Sequence, residues 1–201
     1  MTAPSALLLL RGPADAVKAW ARKGLLPVWV IPGVTWTLVV PADVPRSGPP
    51  YDDPVALLGG RPVPARLRPS VCLVADGARA VVAVHESARP AVQRWLVWTA
   101  GVGPSRVEGL PHAPVGLLAA VVDGDRPRLD DALRPDGRAG EDVIDDLLRA
   151  LDLPGAGLPI GAVRPDHLPG AARVDPDDRV VAKFEAFVSH ESRLLAQLDE
   201  S

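Results

Sequence analysis

The sequence predicts an α+β fold: a mainly antiparallel sheet of about six strands, two hairpins among them, with helices concentrated in the C-terminal half. Three observations carry that expectation. Short β-rich runs bounded by turn residues fill the first hundred residues, an Asp76-Gly77 pair separates two of them, and helical periodicity takes over beyond about residue 110. Residues 1–110 therefore read as a β-rich α+β core. Residues 111–201 read as a helical, acidic part packed on that core as one domain.

The elements follow in order. Ala6-Leu7-Leu8-Leu9-Leu10 has no polar face and reads as a buried strand. Gly12-Pro13 opens a helix with Asp15 in its first turn, Val17, Trp20 and Ala21 as its apolar stripe, and Gly24 at its end. Val28 to Ile31 and Thr35 to Val40 flank Pro32-Gly33 and form the first hairpin. The second of these runs alternates Trp36, Leu38 and Val40 with Thr35 and Thr37, which predicts one buried and one partly wet face. Residues 41–69 hold eight prolines and three glycines around a short helical turn at Val55 to Leu58. Irregular connections of that length usually wrap the surface or carry function. Val71 to Val74 and Arg79 to His85 form the second hairpin across Asp76-Gly77. Gln93 to Thr99 is the sixth strand, with Trp95 and Trp98 on opposite faces.

Beyond it, Val115 to Val122 reads as a short apolar helix, residues 123–140 as a charged loop, and Glu141 to Asp152 as an amphipathic helix. Asp177-Asp178 opens a long C-terminal helix whose apolar positions run from Val180 through Phe184, Phe187 and Val188 to Leu198.

Composition narrows the function classes. Of 201 residues 47% are hydrophobic, enough for a proper core, and the formal net charge is −3. That balance lacks the basic footprint of a nucleic-acid binder, so none is expected as a partner. Residues 1–100 carry 11 basic and 6 acidic side chains, whereas residues 101–201 carry 11 and 19. Packing the two halves together offsets the difference. The first apolar run stops at Arg11, far short of the roughly 20 residues that span a bilayer, and no leader pattern surrounds it. The chain is therefore expected to be cytoplasmic, with no membrane association. A single cysteine, Cys72, excludes an internal disulfide and a multi-thiolate metal site. Abundant Ala, Val, Pro, Gly and Arg with three lysines resemble the usage of a high-GC bacterium.

No catalytic motif emerges. Gly103-Pro104-Ser105-Arg106 lacks the second glycine of a nucleophile elbow. Gly155-Ala156-Gly157-Leu158-Pro159-Ile160-Gly161 has glycines at dinucleotide-like spacing, but it follows a helix instead of a strand. His85, His112, His167 and His190 lack the spacing of a prebuilt metal site, and Asp123-Gly124-Asp125 lacks the closing glutamate of a calcium loop. Neither a metal nor a cofactor is expected. Cys72 and His85 are the one nucleophile–base pair to consider. A turn at Asp76-Gly77 pairs Cys72 with Val81 and leaves His85 four residues further along, about 13 Å away at the usual strand rise. That is too far for a hydrogen bond.

The leading expectation is a non-catalytic protein that works through surfaces in protein–protein interaction, assembly or regulation, taking a protein partner or self-associating. Its partner surface would be the distal C-terminal helix at Leu194, Leu195 and Leu198. A small-molecule site or enzyme built from His85, Glu86, Arg94, Trp95 and Trp98 is the first alternative. An acidic immunity-type protein that neutralises a toxin is the second.

Overall fold

The computed structural model describes residues 6–87 and 92–199, with residues 191–199 described by backbone alone. Its centre is one antiparallel sheet of eight strands: β1 (Ala6–Leu10), β2 (Val28–Pro32), β3 (Thr37–Pro41), β4 (Ser70–Asp76), β5 (Arg79–His85), β6 (Gln93–Thr99), β7 (Gly103–Ser105) and β8 (Ala172–Val174). The order across the sheet is β7-β6-β5-β4-β1-β3-β2-β8. Strand β1 lies in the interior, with Leu8 opposite Val39 of β3 and opposite Cys72 of β4.

Six α-helices surround the sheet: α1 (Ala14–Ala21), α2 (Pro54–Gly59), α3 (Val115–Val122), α4 (Arg126–Ala132), α5 (Gly140–Ala150) and α6 (Asp178–Asp199). The period-2 alternation of the strands sorts them into two cores. Leu7, Leu9, Leu38, Leu73, Val82 and Leu96 pack under α3, α4 and α5. Leu8, Leu10, Val28, Val30 and Cys72 pack under α1, α2 and the segment that follows α2. Both faces of the sheet are therefore dry, which is why β1 reads as an unbroken apolar run instead of an alternation.

Three expectations need correction. The sheet has eight strands, not about six, because β7 and β8 are three-residue strands too short to carry a periodic signal. The charged loop at 123–140 contains α4, whose seven residues carry two buried positions, Leu129 and Ala132. Strand β3 has no wet face. Thr37 is 3% exposed, and its hydroxyl donates to the Gly12 carbonyl at 2.7 Å, so the polar residue is satisfied inside the core.

The second hairpin turns one residue later than expected. Asp76 stays in the ladder opposite Arg79, and the turn consists of Gly77 and Ala78, with Gly77 at φ +55°. Glycine in the first central position is what a II′ turn requires. The shift pairs Cys72 with Ala83 and Ser70 with His85, bringing His85 to within two residues of the position facing Cys72.

This hairpin end is also where the helical layer is anchored. The Gly140 amide, at the start of α5, donates to the Gly77 carbonyl at 2.8 Å. A Cβ at residue 140 would lie 1.9 Å from the Arg79 carbonyl oxygen, so the helix approaches the strand as closely as it does because residue 140 has no side chain. Gly140→Ala should therefore lower stability by about 2 kcal/mol or more, the overpacking cost exceeding the ~1 kcal/mol gain in helix propensity. Gly137→Ala, where a Cβ meets nothing within 4 Å, should be neutral or slightly stabilising in the same urea melts. Equal effects of the two would contradict this account of the α5 anchor.

Candidate functional site

A groove of about 520 Å³ lies on the face covered by α1 and α2. Helix α1 and residues 23–26 form one wall and α2 with Arg61 another. Pro50 and Tyr51 of the proline-rich segment and the first turns of α6 close the mouth. Trp20, Leu26 and Leu58 are almost entirely covered, while Leu57 and Phe184 are half-buried and line the open part. The Phe184 ring stands edge-on to Tyr51 with centroids 4.9 Å apart. The Asp177 amide donates to the Arg22 carbonyl at 2.8 Å, and Arg46 pairs with Asp178 at 2.7 Å, tying the start of α6 to the groove.

One cation sits half-buried in this apolar setting. The Arg61 guanidinium lies 3.9 Å above the Trp20 ring centroid, and it donates from Nη2 to the Trp20 carbonyl and from Nη1 to the Ala21 carbonyl at 3.5 Å. Those carbonyls belong to the last turn of α1, the negative end of its dipole. A Cβ on Gly24 would lie 2.4 Å from Nη1, so the side chain slots against a bare Cα. Among the described residues no carboxylate pairs with Arg61, and burial alone pulls its pKa down to about 10. Lys23 stands exposed at the rim. The one acid in the lining, Asp53, is occupied: its Oδ1 accepts from the Val55 amide at 2.8 Å and caps α2.

A second cleft, of about 470 Å³, opens between the β2–β3 turn and the C-terminal ends of α3 and α5. Arg11 lies 5.9 Å from the Trp36 ring centroid there, and Asp123 and Asp152 line it in left-handed conformation at φ 60° and 49°. Asp152 is paired with Arg128 at 3.0 Å. Both aspartates follow a helix C-terminus, where a left-handed residue commonly ends the helix. Helix termination accounts for their geometry.

The residues singled out from the sequence are only partly brought together. Glu86 and Arg94 form a half-exposed ion pair at 3.2 Å, with His85 and Trp95 on the neighbouring ladder positions. Trp98 points to the opposite face, is fully buried, and donates through Nε1 to the Leu133 and Arg134 carbonyls at 3.1 and 3.3 Å. It anchors the end of α4. None of the five lines the groove or the second cleft. Leu194, Leu195 and Leu198 have side chains outside the described residues. The glycines from Gly155 to Gly161 are not an anion loop facing outward, for the Gly157 amide donates to the buried carboxylate of Asp145, itself held by Arg149. Cys72 is buried and its thiol pushed up to about 12 by desolvation, the opposite of an activated nucleophile.

Arg61, Tyr51 and Lys23 did not stand out in the sequence. The available signal was the length and proline content of residues 41–69, which marks a wrapping segment without saying what it wraps. The chain matches no family model, no curated protein and no solved structure, so the reading of the groove rests on its own geometry.

His85 supplies a test of the electrostatics at the C-terminal end of β5. It is half-buried, with Nδ1 3.4 Å from the Ser70 hydroxyl, and desolvation first, then the Arg68 charge, hold its pKa below the ordinary value of about 6.5. A depressed histidine pKa means the unfolded chain binds the proton more readily. Its contribution to stability is therefore present above about pH 6.5 and lost as pH falls toward the depressed folded value. Denaturant titrations between about pH 7 and 5 should show stability falling, and His85→Gln should flatten that slope. Asp43, Asp136 and Asp166, with pKa values already below the carboxylate range, act at lower pH and leave this window clear.

Proposed function

We propose that this chain is a non-catalytic binding protein whose ligand occupies the groove between α1, α2 and the start of α6. The observation that carries the reading is the groove itself: about 520 Å³ of largely apolar space, within the range typical of small-ligand sites, with a desolvated cation at its wall. Apolar walls of this extent are costly to leave wet, and a few placed polar groups are what orient a ligand in them. The cytoplasm is the compartment we assign. The sole thiol, buried and unpaired, suits it, and among the described residues no helix is long and apolar enough to cross a membrane.

Association through α6 is a second reading. Val181 is buried, but Phe187 on the same helix is 54% exposed, so this stretch of α6 covers little of its own core. If α6 pairs with another copy or another protein, sedimentation of the purified chain should show a concentration-dependent larger species that Phe187→Ser reduces. Nothing in the geometry favours the toxin-neutralising alternative over these.

Titration with the neutral, environment-sensitive dye Nile red tests the groove. Saturable one-to-one binding with a blue-shifted emission is expected. Phe184→Ala and Leu57→Glu should each weaken it by about tenfold or more, since a well-buried Phe or Leu contact is worth about 1.5–3 kcal/mol. Unsaturable binding, or binding indifferent to both substitutions, would place the dye elsewhere and overturn the reading.

A further inference from the structure

We infer that the ligand of the groove is a single-chain alkyl carboxylate, its chain lying against Leu57, Val180 and Phe184 and its head group seated on Arg61. The inference rests on the reading of the groove as a ligand site and adds the ligand's chemical class.

A guanidinium carries five N–H groups, and Arg61 commits two of them, one to each of the Trp20 and Ala21 carbonyls. The Trp20 face beneath it and the bare Cα of Gly24 beside it hold the plane in place. Such a pre-set fork suits a planar two-oxygen acceptor. The carbonyls at the end of α1 offset part of its charge, about half an elementary unit for a helix terminus. What remains is positive and makes no ion pair: Asp53, the one acid in the lining, caps α2 through Oδ1 and keeps its charge, so the lining holds two cations, Arg61 and Lys23, against one anion. Lys23 at the rim adds to the same sign. A cationic head group would meet repulsion here, a neutral one would leave the guanidinium unanswered, and a carboxylate completes it. Apart from Tyr51 at the mouth the rest of the lining is apolar, so the remainder of the molecule should be hydrocarbon.

Calorimetric titration of the full chain with decanoate, 1-decanol and decyltrimethylammonium, all below their aggregation concentrations, tests this. The three share a chain and differ in the head. Decanoate should bind about tenfold or more tightly than 1-decanol, as expected for a charge-assisted hydrogen bond, and the ammonium should bind weakest. Arg61→Gln should bring decanoate and 1-decanol to near-equal affinity, while Arg61→Lys keeps part of the preference. Should Arg61→Gln fail to fold, because the end of α1 loses its cap, the ranking on the wild-type chain still decides. Lys23→Gln, on the exposed rim, should then reduce the decanoate preference by about two- to threefold. Equal binding of decanoate and 1-decanol, or tighter binding of the ammonium, overturns the head-group assignment while leaving the groove as an apolar site. Binding to anionic phospholipid vesicles without binding of free decanoate overturns it as well. Failure of all three amphiphiles together with Nile red overturns both the assignment and the groove reading.

Discussion

Leu7, Leu8, Leu9 and Leu10 lie side by side in β1 with 0–2% of their surface exposed, Leu7 and Leu9 toward one face of the sheet and Leu8 and Leu10 toward the other. A strand of this kind can sit only in the interior of a sheet that is covered on both sides, because either face left wet would expose a row of leucines. Its neighbours are set by the same demand. Strands β3 and β4 flank it with Leu38, Val39, Cys72 and Leu73, and these are equally dry. The two helical layers follow: α3, α4 and α5 on one side, α1, α2 and the proline-rich segment on the other. The groove is a consequence of the second cover being thin. Helix α2 has six residues and α1 eight, and the space between them is bridged by loop and by the start of α6.

The parts of this arrangement legible in the sequence are those with local signatures. The six longer strands, α1, α3, α5 and α6 each carry a periodicity or a capping pattern over at least five residues, and their positions could be read directly. Strands β7 and β8 could not, since three residues do not define a period and their pairing depends on β6 and β2 being already in place. Helix α4 was hidden by its charges: in Arg-Pro-Arg-Leu-Asp-Asp-Ala only Leu129 announces a core position, and Arg126 and Asp130 pair across one turn at its surface. The hairpin register turned on a single choice, between Asp76-Gly77 and Gly77-Ala78 as the central pair, and a one-residue shift of the turn moved every cross-strand partner by two.

The groove was least legible, for a physical reason. Its walls come from residues 20–28, 50–61 and 180–184, segments that meet only once the sheet has formed. In the sequence Trp20 is a core residue of an amphipathic helix, and Arg61 is one arginine among many in a loop. Their significance lies in the 3.9 Å separation between them, a long-range distance with no local trace. The cluster that local reasoning did favour, around His85, Glu86, Arg94 and Trp95, consists of ladder neighbours. Adjacency on two paired strands is easy to predict, but it lines residues up along a ladder and does not enclose a cavity.

Arg61 joins the two themes. Its cover of the α1 terminus is structural: the Trp20 and Ala21 carbonyls, which also accept from the Lys23 and Gly24 amides, each gain a second donor, and the side chain must be packed closely to reach them. Close packing in turn desolvates the guanidinium, and a desolvated charge without an acid is unfavourable unless its role requires it. The aromatic face of Trp20 softens the penalty without neutralising the charge. Arg61 thus serves the end of α1 and lines the groove at once, so the charge it keeps stands where the ligand proposed above would meet it.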